Sequence, residues 1–255
     1  MSSRNVFSNV RPASNFCRKQ HPIYDWTELE HKIATLKCFP TVTMDIFRHG
    51  QSVTNFRGLV TGSQNVELTD LGVKQAENLA LSIKPYYDTI YTSSLKRSVH
   101  TLGTVLSKRR VQIGQACCDP RLDERSLGSL EGEKQRHIRE FELGELRYAP
   151  PGGESYLQVT QRILSFLVDL FLGSKQLGRS LTVLVSTHMG PLRIIIGTLE
   201  KIPSAARVLS MNFDNATVMS ISTNHLEWPA FLRGGDGGDE LPSCQTKTHS
   251  TNRSL

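Results

Sequence analysis

Residues 181–191 read Leu-Thr-Val-Leu-Val-Ser-Thr-His-Met-Gly-Pro, the strongest strand pattern in the chain. Leu181–Ser186 is largely apolar and β-branched, as is typical of a strand buried on both faces of a sheet. Pro191 suits the first turn of a following helix, because the N–H that proline lacks is not needed there. The stretch therefore predicts a buried strand, a turn that carries His188, and a helix.

Strand and helix patterns alternate on either side of this stretch. Further strands are predicted at 43–47, 89–92, 111–117 and 217–222, and helices at 134–143 and 155–171. Two other helices are indicated by their apolar faces, one after Thr69 with Leu71, Ala76, Leu79, Ala80 and Ile83 inward and one with Leu95, Val99, Leu102 and Leu106 inward. Such alternation predicts an α/β fold, a three-layer α/β/α sandwich with a mostly parallel central sheet.

The two ends of the chain differ in composition from its middle. Residues 1–40 are interpreted as an arm, disordered except for a helix over 25–39 that Asp25 caps, and residues 226–255 as a disordered tail. Residues 41–225 form the predicted folded domain. Residues 1–24 hold four basic residues and no acid, which also fits a mitochondrial presequence.

Composition excludes several classes of protein. The chain of 255 residues carries 30 basic and 24 acidic side chains without a dense basic stripe, so we expect no nucleic-acid partner. It has no apolar run of 18 residues, so we expect no membrane span. Five cysteines, an odd number without a C-x-x-C pair, argue against a disulfide framework and favour a reducing compartment. The cytoplasm is the expected location, with mitochondria as the alternative.

Reactive residues follow the C-terminal ends of the predicted strands. Arg48 and His49 follow the first strand, Arg97 the second, Glu124 the third, and His188 the stretch quoted above. In open parallel sheets, ligands bind in the crevice beyond these strand ends. We therefore expect the side chains to meet in one crevice.

This group of side chains suits phosphoryl transfer. Arginines offer planar, bidentate donors to phosphate oxygens. A neutral imidazole can act as nucleophile, and a carboxylic acid can protonate a departing alkoxide. The sequence has no carboxylate cluster suited to Mg²⁺ and no phosphate-binding Gly-Lys-Ser/Thr loop. These features indicate metal-free transfer through a phosphohistidine. We expect a small phosphorylated metabolite, such as a sugar phosphate, as substrate, with a phosphoprotein as the alternative.

The motifs resemble those of the histidine phosphatase superfamily, the phosphoglycerate-mutase-like enzymes. The signature is Arg48-His49-Gly50-Gln51-Ser52 followed by Asn55. The supporting segments, in family order, are Thr61-Gly62, Leu68–Gly72, Tyr91–Arg97, Leu122-Asp123-Glu124, Leu130-Glu131-Gly132, Pro151–Ser155 and Ser186-Thr187-His188. The resemblance covers about residues 42–222.

The resemblance implies a role for each catalytic candidate. His49 would be the phosphorylated nucleophile, and Arg48, Arg97 and His188 would hold the transferring phosphoryl group. Glu124 would be the proton donor and later the base that activates water. Neither a metal nor a cofactor is implied for the phosphatases of this family.

The resemblance also implies substrate contacts. Ser52 and Asn55 lie where the family contacts phosphate or substrate, and Thr61 and Gly62 where it lines the pocket. Met189 stands where the family often has glycine, so we expect it to reshape the pocket rim.

Three functions remain open at this stage. Only 64 positions separate Glu124 from His188, which resembles compact phosphatases of the fructose-2,6-bisphosphatase and cobalamin-pathway types rather than mutases with a long insertion. The leading prediction is therefore a phosphatase. The alternatives are a cofactor-dependent phosphoglycerate-mutase-type phosphotransferase and a weakly active scaffold that binds phosphorylated ligands.

Overall fold

The centre of the sheet is the parallel pair β1 (Val42–Arg48) and β4 (Leu181–Thr187), as seen in a computed structural model of the chain. The structure describes residues 21–134 and 145–233. The register of the two strands places Arg48 opposite Thr187. The residues that follow both strands therefore emerge side by side at one edge of the sheet.

Three further strands complete the sheet. β2 (Tyr86–Thr92) pairs with the other side of β4, and β3 (Gln112–Cys118) pairs with β2, both in parallel. β5 (Val218–Thr223) is antiparallel to β1, and the order is β3-β2-β4-β1-β5. The mostly parallel sheet confirms the predicted α/β fold.

Helices follow or connect these strands. They are α1 (Trp26–Ala34), α2 (Val53–Arg57), α3 (Asp70–Leu79), α4 (Lys96–Arg109), α5 (Tyr156–Leu177), α6 (Met189–Leu199) and α7 (Ala205–Ser210). Short 3₁₀ turns occur at Pro120–Leu122, Gly128–Leu130 and Ala230–Leu232. Asp25, Thr69 and Ser155 each accept a hydrogen bond from a first-turn N–H, which explains where α1, α3 and α5 begin.

Apolar side chains are buried on both faces of the sheet. Phe47 and Leu184 pack against α3 and α4 on one face. Their neighbours Ile46 and Val185 pack on the other face in a core built with α1, α5 and α6. Successive strand residues point to opposite faces, so this pattern forms the three layers that the sequence predicts.

The structure differs from some of the predicted elements. Leu71, predicted to be buried, is 51% exposed, because the buried stripe of α3 runs through Gly72, Ala76 and Leu79. β2 begins three residues earlier than predicted. α5 continues six residues beyond 171 and ends at Gly178, whose left-handed φ of 65° suits a helix C-cap. The helix predicted at 134–143 lies almost entirely outside the described residues.

The folded domain extends beyond the predicted limits of 41 and 225. On the N-terminal side, Leu29 and Ile33 of α1 are buried in the core beside α5. On the C-terminal side, Leu226 and Phe231 are buried in the same core. These apolar side chains cover surface of α5 and α6 that would otherwise face water. Residues 1–20 and 234–255 lie outside the described range.

None of the helices in the described ranges has the length and apolar character needed to cross a membrane.

Candidate active site

The described site lies at the edge of the sheet where β1, β2, β3 and β4 end. Arg48 is the last residue of β1, and His49 follows it. Glu124 follows β3 after the 3₁₀ turn Pro120–Leu122, and His188 follows β4. Arg97 is the second residue of α4, which begins four residues after β2. The sheet thus brings the five predicted catalytic residues to one edge.

His49 is held by its backbone and its ring. Its N–H donates to the carbonyl oxygen of Thr187 (3.1 Å), which extends the β1–β4 pairing by one residue. Asn215 donates its side-chain N–H to the His49 carbonyl oxygen (2.7 Å). The residue is only 3% exposed, so the imidazole is fixed in a buried position.

Two hydrogen bonds determine the tautomer of His49. Arg97 Nε lies 3.2 Å from His49 Nε2. A guanidinium can only donate, so Nε2 must present its lone pair. The Nδ1–H then donates to the carbonyl oxygen of Gly50 (2.7 Å). The nitrogen with a lone pair is therefore the one that faces Arg97.

The surroundings keep His49 neutral. Burial lowers the pKa of His49 well below 6.5, and the positive charges of Arg97 and Arg48 lower it further. Burial and the charge of Arg97 likewise lower the pKa of His188 well below 6.5. A neutral imidazole is the form that can act as a nucleophile.

Arg97 is almost completely buried, at 1% exposure. It donates from its terminal nitrogens to the carbonyl oxygens of Gln64 (2.6 Å) and Gly62 (2.8 Å). Its own helix is tied to the signature, because Thr101 Oγ1 donates to the Arg97 carbonyl oxygen and accepts from Gly50 N–H. Burial lowers the pKa of Arg97 to about 10, so the guanidinium stays charged at neutral pH.

His188 faces His49, with ring centroids 5.0 Å apart. Its Nε2 lies 2.6 Å from Ser93 Oγ, whereas its buried Nδ1 has no hydrogen-bond partner among the described residues. If Nε2 accepts from the Ser93 hydroxyl, Nδ1 carries a proton available to a ligand.

Arg48 offers a second buried donor. One terminal nitrogen donates to the Phe213 carbonyl oxygen (3.1 Å), whereas Nε is buried and has no hydrogen-bond partner in the part of the chain that the structure describes. Burial lowers the pKa of Arg48, whereas the negative charge of Glu124 raises it and the positive charge of Arg193 lowers it.

The side chain of Glu124 lies beside the first turn of α6. Its Oε1 accepts hydrogen bonds from the N–H groups of Arg125 (2.9 Å) and Gly190 (3.0 Å). A Cβ on Gly190 would lie 2.5 Å from this oxygen. Glycine at position 190 therefore allows the Glu124 carboxyl group to approach the first turn of the helix, where backbone N–H groups have no acceptor within the helix.

Three of the predicted substrate contacts, Ser52, Asn55 and Thr61, lie in the loop and short helix that follow His49. Ser52 and Asn55 cap α2 reciprocally, and Thr54 links Ser52 Oγ (3.0 Å) to Thr61 Oγ1 (2.6 Å). Ser52 and Thr61 are buried, and Asn55 is half-buried. Their described hydrogen bonds thus hold the loop between β1 and α3.

The remaining two contacts have different positions. Gly62 contributes through its backbone, because its carbonyl oxygen accepts a hydrogen bond from Arg97. Met189 is half-buried as the first residue of α6. Arg193, one turn further along α6, donates to the carbonyl oxygen of Met211 and to Tyr156 Oη.

Four supporting residues were not singled out from the sequence. They are Ser93, Thr101, Gly190 and Asn215. Ser93 and Gly190 lie in or next to the segments that follow β2 and β4, and this position could have pointed to a role at the site. Thr101 lies inside a helix and Asn215 in a late loop, so only the fold shows that they support the signature.

The arrangement can bind a compact anion beside a neutral imidazole. Arg97 Nε lies 3.2 Å from His49 Nε2, the ring of His188 lies 5.0 Å from that of His49, and the positive charge of Arg48 acts on the same imidazole. A carboxylate stands at the same edge. These are the components of acid-assisted transfer of a phosphoryl group to histidine.

Known proteins are similar to this chain in sequence. The profile of the histidine phosphatase superfamily (branch 1) matches residues 45–232. The 2,3-bisphosphoglycerate-dependent phosphoglycerate mutase of Allorhizobium ampelinum is 31% identical over 200 residues, covering 72% of this chain and 91% of that protein.

Solved structures share the fold. The alpha-ribazole phosphatase of Shigella flexneri has a TM-score of 0.57 and 24% identity, covering 72% of this chain and 95% of its own. The phosphoglycerate mutase of Bacillus anthracis has a TM-score of 0.59 and 22% identity, covering 73% and 89%. With the profile match extending over most of the chain, this protein belongs to the histidine phosphatase superfamily, branch 1.

Proposed function

We propose that this protein is a phosphatase that hydrolyses a small phosphomonoester through a phosphohistidine on His49. The observation that carries the proposal is the state of His49: a buried, neutral imidazole whose Nε2 lone pair faces Arg97. The unpartnered His188 Nδ1 and Arg48 Nε lie in the same site and are suited to phosphoryl oxygens.

In the first step, His49 Nε2 attacks phosphorus as the ester P–O bond breaks. Before this attack, Arg97 exchanges its hydrogen bond with His49 Nε2 for one with a phosphoryl oxygen, which frees the lone pair. The charges of Arg48 and Arg97 and the donor of His188 stabilise the transition state. Protonated Glu124 gives its proton to the leaving alkoxide, so an alcohol departs and His49 carries the phosphoryl group.

In the second step, water attacks the phosphohistidine. Glu124, now a carboxylate, accepts a proton from this water as the new P–O bond forms and the N–P bond breaks. His49 Nε2 recovers its lone pair, and inorganic phosphate leaves. The residues that we assign can perform both steps without a metal ion or a cofactor.

The second candidate is a 2,3-bisphosphoglycerate-dependent mutase, and the name of the Allorhizobium relative favours it. That relative consists almost entirely of the matched core, so the short Glu124–His188 spacing alone does not separate the two activities. In a mutase, the phosphoryl group of His49 returns to an organic acceptor instead of water.

Charge in the described site favours the phosphatase. A bisphosphate donor needs cations for a second phosphate and a carboxylate. Among the described residues, Arg125, Arg162 and Arg193 all donate to carbonyl oxygens of the chain itself. The donors that we assign around His49 are suited to one phosphoryl group, and this supports the phosphatase.

The test is phosphate release from a panel of phosphorylated metabolites and one phosphopeptide, in EDTA and in Mg²⁺. The His49→Ala variant runs alongside. We expect release by the wild-type protein in both buffers, and none by the variant because it has no nucleophile. Activity of the variant close to wild type would contradict the mechanism.

A parallel assay with 3-phosphoglycerate and 2,3-bisphosphoglycerate distinguishes the alternatives. Isomerisation that exceeds hydrolysis would establish the mutase. If the protein binds phosphorylated ligands but neither turns them over nor becomes phosphorylated on His49, it is a scaffold that binds phosphorylated ligands.

A further inference from the structure

The segment Pro151–Ser155 has no role in the mechanism above, yet Glu154 within it forms an ion pair at the site. Glu154 accepts two hydrogen bonds from the guanidinium of Arg162 on α5, at 3.0 and 3.1 Å. The Arg162 side chain is only 6% exposed. A guanidinium buried in this way needs further hydrogen-bond partners to offset the loss of water.

Arg162 finds those partners in the loop that carries Glu124. The terminal nitrogen that faces away from Glu154 donates to the carbonyl oxygens of Arg121 (2.6 Å) and Asp123 (2.7 Å). The planar guanidinium thus joins α5 to the backbone on the N-terminal side of Glu124.

Glu154 holds the other side of the same loop. Its Oε2 accepts from Ser126 N–H (3.0 Å), and its backbone N–H donates to the Ser126 carbonyl oxygen (2.8 Å). Its own carbonyl oxygen accepts from Arg125 Nε (2.7 Å). One ion pair therefore ties both sides of Glu124 to α5.

We propose that Arg162 and Glu154 are positioning residues that orient Glu124 for proton transfer. Neither contacts His49 or the donors assigned to the phosphoryl group by any described hydrogen bond. The pair holds the backbone from which the Glu124 carboxyl reaches Gly190 N–H (3.0 Å). The proton passes from the Glu124 carboxyl to the leaving oxygen as the P–O bond breaks. This inference rests on the phosphatase activity proposed above.

Arg162→Lys tests the proposal. Lysine keeps the positive charge near His188 but loses the planar fork that reaches two carbonyl oxygens and a carboxylate at once. Glu154→Gln is the partner variant. Arg179→Lys is the matched control, because Arg179 forms an ion pair with Asp88 (2.7 Å) at the start of β4, the opposite end of the sheet.

Two substrates separate positioning from a general loss of structure. 4-Nitrophenyl phosphate has a leaving group that needs no proton, whereas an alkyl phosphate needs one. For Arg162→Lys and Glu154→Gln we expect kcat/KM to fall about 10²-fold with the alkyl phosphate. With 4-nitrophenyl phosphate we expect less than a threefold change, with Arg179→Lys unchanged on both. Equal losses on both substrates would overturn the proposal.

A crystal structure of Arg162→Lys gives a result that does not depend on turnover. We expect the Glu124–Gly190 hydrogen bond to lengthen or break while the Arg97–His49 contact is kept. An unchanged Glu124 would overturn the proposal. Absence of hydrolysis by the wild-type protein would instead refute the phosphatase, and the crystal structure would still decide the positioning role.

Discussion

At the residue scale, Gly190, the second residue of α6, constrains the position of the Glu124 carboxyl group. The Gly190 N–H donates to Glu124 Oε1, and any Cβ there would lie 2.5 Å from that oxygen. Because the carboxyl has to stand close to the helix backbone, even a methyl group would displace it.

Gly190→Ala should therefore lower kcat/KM with an alkyl phosphate by about 10²-fold, the effect of a displacement near 1 Å. The loss with 4-nitrophenyl phosphate should be smaller, because its leaving group needs no proton. Steady-state kinetics with the two substrates provides the measurement.

Gly173→Ala is the matched control, since a Cβ at this position in α5 meets no atom within 4 Å. It should keep full activity and gain up to about 1 kcal/mol in unfolding free energy, because alanine favours helix more than glycine does. Unchanged activity in Gly190→Ala would refute the constraint.

At the element scale, α1 belongs to the folded core although it precedes the region matched by the family profile. Leu29 and Leu36 are completely buried beside α5. Tyr24 also ties the preceding segment to α5, donating from Oη to Asp169 (2.6 Å) and from its backbone N–H to Ser165 Oγ (3.0 Å).

Leu29→Ala should thus reduce the unfolding free energy by about 2–5 kcal/mol, the usual cost of a cavity at a buried leucine. Urea unfolding followed by circular dichroism would measure it. Leu81→Ala serves as the control, since Leu81 is 74% exposed and its loss should change stability by less than about 0.5 kcal/mol. Equal effects of the two substitutions would show that α1 does not contribute to the core.

At the scale of the whole molecule, the two buried histidines couple stability to pH. Burial holds the pKa of His49 and of His188 well below 6.5 in the folded state. In the unfolded chain both should titrate near 6.5. Below that pH, the unfolded chain binds protons that the folded protein does not, so acidification favours unfolding.

The two neutral histidines should leave the unfolding free energy of the wild-type protein undiminished above pH 6.5. Below that pH, the unfolding free energy should fall by up to about 1.4 kcal/mol per pH unit for each histidine. Urea unfolding at pH 7.5 and 5.5, in phosphate-free buffer, measures the loss. The His49→Asn/His188→Asn double variant should depend less on pH. The same dependence in both proteins would contradict the assignment of neutral histidines.

The strand patterns were sufficient to predict the sheet class and the edge at which the site lies. β1 and β4 can each be recognised from a short stretch of sequence, because an apolar, β-branched run is followed directly by reactive side chains. The antiparallel direction of β5 and the burial of α1 could not be read in this way. Both depend on contacts between segments far apart in the chain.

For the site, the sequence by itself determined which residues stand beyond the strand ends: His49, Arg97, Glu124 and His188. Residue type and distance from a strand are local properties, and parallel strands end at one edge. Only the tertiary structure decided the His49 tautomer, the burial that keeps it neutral, and the Glu154–Arg162 pair beside Glu124. Hydrogen bonds and desolvation depend on partners brought together from distant segments, and these partners exist only once the sheet and its helices have packed.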